Sequence, residues 1–316
     1  MISTDVDLAI ERLRRGGLVA VPTETVYGLA ADARQPDAVA RIFEIKGRPT
    51  NHPLIVHLAG REQLDEWATD IPSLADVLAA AAWPGPLTML LHRAPGVDDA
   101  VTGGRSTIGL RVPSHPLTRA VLQGVGSGLA APSANRFGRV SPTSAAHVLA
   151  DIGEILDPDR DLILDGGPCQ VGVESTIVDL TVTPPQVLRS GAITAEMIEA
   201  LIGDVAAAGG PSRAAGMLAA HYAPDCTVEP VPDRAAAEQR VLAHRAAGRR
   251  AALLDRTDDL VVAAQRLYDD LRAADAADLD ALVVVMPAAD GLGHALRDRL
   301  TKAAAGSGRA STNRPD

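Results

Sequence analysis

The chain has 316 residues, of which 47% are hydrophobic and 22% charged, a composition typical of globular proteins and long enough for two domains. Its formal net charge of −10 argues against a protein that coats nucleic acid, because such binding needs many Lys and Arg contacts to phosphate. Apolar runs are shorter than the about 20 residues that span a bilayer, and the N-terminus lacks a signal-peptide pattern, so we expect no membrane association. Cys169 and Cys226 form no CxxC motif, which favours a reducing, cytoplasmic location.

The first two hundred residues are predicted to form an α/β domain of short strands and helices. A buried strand at 18–21 leads into a polar turn, a helix from Pro36 to Lys46 and a second strand at 54–58. The polar turn is expected to run directly into that helix. Further strands are predicted at 87–92, 107–112, 129–131, 162–164, 175–180 and 186–188, and further helices at 61–68, 72–82, 114–123, 143–150 and 194–202.

The organisation changes after residue 203. Residues 206–220 are rich in Ala and Gly and predict a linker. From residue 226 onward, strands alternate with helices, which predicts a small parallel sheet covered by helices. We therefore expect a first domain at 1–203, a linker at 204–225, a second domain at 226–305 and a disordered tail at 306–316.

Two cations at the end of the first-domain helix are candidates for binding an anion. Of 30 basic side chains, only Lys46 and Lys302 are lysine, and Lys46 lies two residues from Arg48. A point charge beside a planar guanidinium suits a triphosphate, whereas the alternative is a solvated helix C-terminus, where cations are favoured. No P-loop, GxGxxG, HExxH or GxSxG pattern accompanies them, so the common nucleotide-binding and hydrolase motifs are disfavoured.

Polar side chains also follow several predicted strands. Ser133 and Asn135 form one such pair, with a helix-capping loop as the alternative. Arg111 lies within an apolar strand and needs a carboxylate partner, from either a ligand or the protein. His57 is either a buried core histidine or, because an ordinary histidine pKa lies near neutrality, a proton acceptor. Together with Thr107, Ser175 and Arg189, these residues indicate a ligand crevice at the ends of strands.

These motifs, taken in order, resemble the YrdC-like threonylcarbamoyl-adenylate synthases. The resemblance covers residues 7–202 and is carried by PTETVYGL, KGRPxxxPLIVH, WPGPLT, IGLRVPxHP, APSANxxGxxSPT, GVESTIVD and LRSG. The rest is similar to the longer members of the family, whose linker ends in HYAP. The resemblance implies a catalytic domain with a twisted mixed sheet, and a small Rossmann-like, three-layer α/β domain.

The resemblance also implies an activity and a set of site residues. The family makes threonylcarbamoyl-AMP and pyrophosphate from L-threonine, ATP and bicarbonate or CO2, with Mg²⁺ bound through the ATP phosphates and no protein ligand for the metal predicted. Lys46 and Arg48 would be catalytic. L-threonine would be held by Thr25, His57, Arg111, Ala131 and Ser175. ATP would be held by Arg48, His52, Thr107, Ser133, Asn135, Ser141, Arg189 and Tyr222.

Partners and alternatives follow from the same resemblance. The product would pass to the machinery that forms N6-threonylcarbamoyladenosine at position 37 of tRNA, and contact with tRNA itself is not required. The linker departs from the longer relatives, because Ala215–Ala220 replaces their basic and aromatic residues. An RNA-binding module remains an alternative. So does a carbamoyltransferase of hydrogenase maturation, although two cysteines cannot supply the zinc segments that accompany that role.

Overall fold

The computed structural model describes residues 1–209, 214 and 221–308, and within them the chain forms two compact units. Among the described residues, the first unit comprises residues 1–137, 142–209 and 214, and the second comprises residues 138–141 and 221–308. The predicted domain boundaries stay predictions. Residues 210–213 and 215–220 of the predicted linker, and 309–316 of the predicted tail, lie outside the described residues.

The first unit is a mixed α/β structure. Its described helices are α1 (Val6–Arg14), α2 (Pro36–Lys46), α3 (Leu64–Trp67), α4 (Ser73–Ala82), α5 (Asp99–Thr102), α6 (Pro116–Val125), α7 (Ala145–Ile152) and α8 (Ala195–Ile202). Its described strands are β1 (Ile2–Ser3), β2 (Val19–Val21), β3 (Gly28–Asp32), β4 (Ile55–His57), β5 (Ala68–Thr69), β6 (Leu87–Arg93), β7 (Thr107–Arg111), β8 (Leu129–Ala130), β9 (Leu162–Leu164), β10 (Thr176–Asp179), β11 (Gln186–Arg189) and β12 (Ala206–Ala207).

These strands form one mixed sheet in the order β1-β9-β2-β3-β8-β4-β7-β6-β10-β11-β12, with β5 paired to β6. Strands β4 and β7 run parallel, and their register sets His57 beside Arg111. Strand β8 runs antiparallel to both β3 and β4. Sequence-distant polar residues are therefore brought to neighbouring strand ends, and the predicted α/β class with a twisted mixed sheet is confirmed.

The polar turn does not run directly into α2, as the sequence had suggested, because β3 lies between them. Gly28–Asp32 is short, and all of its residues except Asp32 are buried, so it shows neither the alternation of a half-buried strand nor the length of a helix. It pairs with both β2 and β8. The polar turn at residues 22–27 is thus the hairpin connection between β2 and β3.

The core lies on both faces of the sheet. Leu18 and Ala20 join a cluster with the apolar face of α2, whereas Val19 and Val21 join another with α1 and α6. This division follows from the period of two along a strand, which sends successive side chains to opposite faces. Helix α2 is fixed by Pro36 at its start and by Gly47 at its end.

The second unit contains a smaller parallel sheet. Its described strands are β13 (Thr227–Val231), β14 (Ala251–Leu254) and β15 (Ala281–Val285), and its helices are α9 (Arg234–Ala246), α10 (Leu260–Ala276) and α11 (Leu292–Gly306). The strand order is β13-β15-β14, with both pairs parallel, as the alternating pattern predicted. Strand β15 is buried along its whole length and lies at the centre of the hydrophobic core of the second unit.

The segment Gly138–Ser141 belongs to this second unit. Arg139 forms a two-pronged ion pair with Asp225, at 2.5 and 2.6 Å, and Gly138 O accepts a hydrogen bond from Ala223 N. Arg272 on α10 donates to the carbonyl oxygen of Val140. Residues far apart in the chain therefore hold this four-residue segment in place.

Candidate active site

A buried lysine joins the end of α2 to the loop that follows β8. Gly47 adopts a left-handed conformation, with φ 61°, and ends α2 directly after Lys46. Lys46 Nζ donates to the carbonyl oxygens of Ser133 and Asn135. Burial, and after it the charge of Arg48, lowers the pKa of Lys46 well below that of an exposed lysine. The two predicted pairs, Lys46–Arg48 and Ser133–Asn135, thus meet in space.

Arginine side chains gather next to this loop. Arg48 Nη2 donates to Pro53 O at 3.0 Å, and its Nε is buried without a hydrogen-bond partner among the described residues. Burial, and then the charges of Arg105 and Arg189, lower the pKa of Arg48 to about 10. Because these guanidinium groups repel one another, an anion placed among them would be stabilised.

His52 and Phe137 border the arginine group. Their rings meet edge to face with centroids 5.5 Å apart, and Arg48 Cζ lies 5.8 Å from the Phe137 ring. Burial, and then the charges of Arg48 and Arg105, lower the pKa of His52. Arg105 was not among the predicted site residues, although its position two residues before Thr107, where β7 begins, was a signal that could have found it.

A second polar group surrounds Arg111 at the end of β7. Its Nη2 lies 2.6 Å from Glu24 Oε1, and its Nε donates to Gly85 O at 3.2 Å. Glu24 Oε2 accepts a hydrogen bond from Ser114 N at 3.0 Å. The predicted carboxylate partner of Arg111 is therefore Glu24, a protein residue that was not among the predicted site residues. Two donors remain on Arg111 Nη1, which makes no hydrogen bond within the described part of the chain.

Glu24 is ionised in this arrangement. Its burial alone would raise its pKa, but the charge and hydrogen bond of Arg111, together with the backbone amides of Glu24 and Ser114, leave the pKa below its ordinary value. Glu24 and Arg111 thus form a buried ion pair in which both carboxylate oxygens are bonded.

His57 lies beside Arg111 across the β4–β7 register. Its burial, and then the charge of Arg111, lower its pKa to about 3. Its Nδ1 is buried without a hydrogen-bond partner among the described residues. His57 is therefore neutral near pH 7 and suits a hydrogen bond to a ligand better than acceptance of a proton.

Ser175 contacts Thr88 on β6 and Arg189 on β11. Its Oγ lies 2.8 Å from Thr88 Oγ1 and accepts from Arg189 Nη2 at 3.0 Å, while Arg189 Nε donates to Ser175 O at 2.9 Å. Thr25 is buried, and its hydroxyl lies 2.8 Å from that of Thr23. Thr88 was also missed, since a threonine after a proline cluster gives no signal of its own.

The backbone of Ala131 can offer only one group to a ligand. Its N–H donates to Ile55 O at 3.0 Å, so its carbonyl oxygen is the group able to accept a hydrogen bond from a ligand. Thr107 begins β7 opposite His92 on β6. These positions fit their predicted roles, which stay predictions.

Ser141 and Tyr222 lie in the second unit and are both buried. Tyr222 has φ 61°, which is uncommon for an aromatic residue. Its ring centroid lies 4.1 Å from that of His221 and 5.6 Å from that of Tyr268, and Arg299 Cζ is 5.6 Å from the Tyr222 ring. The atypical linker residues 215–220 lie outside the described residues.

The described residues contain no group of three or more His, Cys, Asp and Glu side chains that could hold a metal ion. Glu24, a carboxylate of the candidate site, is bonded to Arg111 and Ser114. None of the described helices is long and apolar enough to cross a bilayer.

Comparison with known proteins identifies the family. The Sua5/YciO/YrdC family model, described as "Telomere recombination", matches residues 11–191. The chain belongs to this family. A second model, described as "Threonylcarbamoyl-AMP synthase, C-terminal domain", matches residues 193–305, so the long, two-part form of the family is also confirmed.

Relatives match nearly the whole chain. The threonylcarbamoyl-AMP synthase of Pyrococcus abyssi is 38% identical over 94% of this chain and 93% of its own length. That of Bacillus subtilis is 39% identical over 93% and 91%. The crystal structure of Pyrococcus abyssi Sua5 complexed with L-threonine superposes with a TM-score of 0.90, at 36% identity, covering 95% of this chain and 94% of that one.

Proposed function

We propose that the protein is a threonylcarbamoyl-AMP synthase, an ATP-dependent nucleotidyltransferase. The observation that carries the proposal is the similarity to such synthases along nearly the full length of both chains. L-threonine and ATP are its substrates, and bicarbonate or CO2 is the proposed third. Similarity over both parts of the chain favours this function over an RNA-binding module or a hydrogenase-maturation carbamoyltransferase.

L-threonine is proposed to bind at the ends of β4 and β7. The free Nη1 edge of Arg111 suits its carboxylate, since guanidinium and carboxylate form charge-assisted hydrogen bonds. The neutral ring of His57 and the hydroxyls of Thr25 and Ser175 suit its amine and hydroxyl groups. The carbonyl oxygen of Ala131 can accept from the amine.

ATP is proposed to bind among the arginines beside α2. Arg48 and Arg189 face the triphosphate, and His52, Thr107, Ser133 and Asn135 border it, with Ser141 and Tyr222 as further contacts. Mg²⁺ is proposed to be held by ATP phosphate oxygens, a mode that this ion commonly uses, and it neutralises charge on the phosphates.

The proposed reaction has two steps. The neutral amine of threonine attacks CO2, forming a C–N bond and a carbamate and releasing a proton. A carbamate oxygen then attacks the α-phosphorus of ATP, and the bond to pyrophosphate breaks. Holding the reactants in line can lower the barrier by roughly 7–11 kcal/mol. Arg48 and Arg189 stabilise the charge that develops on pyrophosphate.

The test is pyrophosphate release by the purified full-length protein with ATP, Mg²⁺, bicarbonate and L-threonine. We expect release that requires L-threonine, and threonylcarbamoyl-AMP as the product by mass spectrometry. Absence of threonine-dependent release would reject the proposal. Transfer of the product to a tRNA-modifying partner and a cytoplasmic location remain predictions.

A further inference from the structure

We propose that Glu24 is a positioning residue for recognition of the α-carboxylate of L-threonine, because it fixes the guanidinium of Arg111. This inference rests on the function proposed above and deepens it. Both side chains are buried, and the Oε1–Nη2 distance of 2.6 Å is that of a charge-assisted hydrogen bond.

Two hydrogen bonds fix the plane of the Arg111 guanidinium. Its Nε donates to Gly85 O, and its Nη2 donates to Glu24. A planar group held through two of its nitrogens has one orientation, so Nη1 presents its two donors in one direction. Without Glu24, only the bond to Gly85 would remain, and the group could rotate about its own side chain.

Glu24 also connects two segments of the candidate site. Its Oε2 accepts from Ser114 N, three residues after Arg111, and Glu24 itself directly precedes Thr25. Thr25 N and Val26 N both donate to the hydroxyl of Thr23, so the polar turn that carries Glu24 is internally bonded. The carboxylate therefore sets the position of Arg111 relative to Thr25.

A purely structural ion pair offers a matched control. Asp161 is a fully buried carboxylate that accepts from Arg41 Nη1 and Nη2, at 2.9 and 2.7 Å, and from the backbone of Leu18 and Asp157. It thus has the same partner types as Glu24 but contacts none of the predicted site residues. Removal of either carboxylate leaves an arginine without its partner, Arg111 being buried and Arg41 partly buried, and this is a destabilising change.

The first measurement compares Glu24→Gln with Asp161→Asn in the full-length protein. A glutamine side chain keeps the shape but replaces one carboxylate oxygen by an NH2 donor, which must face either Arg111 or Ser114 N, both of them donors. We expect the Kd and KM for L-threonine to rise about tenfold or more in Glu24→Gln, as small misplacements commonly cause, with the KM for ATP nearly unchanged. Asp161→Asn should leave both KM values unchanged.

The second measurement uses L-threoninamide, which lacks the carboxylate. The wild type should prefer L-threonine, and Glu24→Gln should lower the ratio of kcat/KM for L-threonine over L-threoninamide about tenfold. General damage to the fold would lower kcat/KM for both substrates by the same factor and leave their ratio unchanged. An unchanged ratio in Glu24→Gln overturns the proposal.

If Glu24→Gln does not fold, Glu24→Asp takes its place, because it keeps the charge but withdraws the carboxylate by one methylene. The same ratio must fall in that variant, and an unchanged ratio rejects the proposal. Calorimetric binding of the two ligands tests Glu24 independently of turnover. If the wild type binds L-threonine but forms no threonylcarbamoyl-AMP, the proposed function fails while Glu24 can still be judged.

Discussion

Burial sets the chemistry of the basic side chains in the candidate site. It is the largest cause of the lowered pKa of Lys46, Arg48 and His57. A pKa of about 10 still leaves Arg48 charged at neutral pH, whereas His57 at about 3 is neutral. Fixed positive charge near the proposed triphosphate therefore comes chiefly from arginine, which resists deprotonation better than lysine does.

Arg48→Ala should reduce threonine-dependent pyrophosphate release about 100-fold or more, since it removes a charge placed where pyrophosphate leaves. Lys46→Ala should also lose activity, because the Ser133 and Asn135 carbonyls lose their shared donor. Both variants should keep the circular dichroism of the wild type. Arg15→Ala, at an exposed arginine of the α1 C-terminus, is the control and should retain full activity. Wild-type rates in both site variants would exclude these residues from the mechanism.

The lowered pKa of His57 predicts a pH-dependent stability. Between pH 6.5 and 3 the unfolded chain protonates this histidine but the folded chain does not, so its contribution to stability is present above pH 6.5 and is lost as the pH falls. Between pH 6.5 and 3, this difference in protonation should lower the free energy of unfolding by about 1.4 kcal/mol for each unit by which the pH falls.

His57→Gln removes that titration. Urea unfolding at pH 7, 6, 5 and 4 should show a shallower loss of stability in the variant than in the wild type. His294→Gln, at a histidine on α11 of the second unit, is the comparison and should keep the wild-type slope in the first-unit transition. Equal slopes in His57→Gln and wild type would contradict a buried neutral histidine.

At the scale of the element, the end of α2 places both candidate catalytic cations. Gly47 makes the left-handed turn between them, and its N–H and that of Arg48 bond back to Glu44 O and Phe43 O. A Cβ at this position would meet only Arg136 Nη2 at 3.8 Å, so space is available and the cost is conformational.

Gly47→Ala should destabilise the first unit by about 1 kcal/mol, the usual cost of a left-handed non-glycine residue. Unfolding in urea can be followed by tryptophan fluorescence, because both tryptophans, Trp67 and Trp83, lie in the first unit. Glu44→Ala, on the exposed face of the same helix, should change stability by less than about 0.5 kcal/mol. Equal urea midpoints for Gly47→Ala and wild type would show that the left-handed conformation at residue 47 does not require glycine.

Element by element, the sequence predicts structure best where local signals are strong. Proline at the start of α2 and glycine after its end define that helix, and the alternation of strands and helices after residue 226 predicted the parallel sheet of the second unit. Strand β3 was missed because its burial removes any alternation. Glu24 and Thr88 were missed for another reason, since their importance comes from partners distant in sequence that only the fold brings near.

At the scale of the whole molecule, each unit has its own hydrophobic core. Val283 on β15 is fully buried in the second unit, and Val19 on β2 is fully buried in the first. Units with separate cores commonly unfold as separate cooperative segments.

Val283→Ala should therefore weaken the second unit by about 2 kcal/mol through loss of buried methyl groups. Hydrogen exchange should accelerate in residues 227–306, while the tryptophan-monitored transition of the first unit stays in place. Val19→Ala should produce the opposite pattern. Equal acceleration in both units by either variant would show that the chain unfolds as one cooperative body.

Because Lys46 is buried under the Ser133–Asn135 loop, its reactivity towards an acylating reagent reports on the movement of that loop. The primary amines of the chain are the N-terminus, Lys46 and Lys302. Lys302 is only partly buried and pairs with Asp298, whereas Lys46 is enclosed and bonded to two carbonyl groups. An acylating reagent should therefore label the N-terminus and Lys302 first. Lys46 becomes labelled only when the Ser133–Asn135 loop moves away from it, so the mass of a single peptide records how often that loop opens.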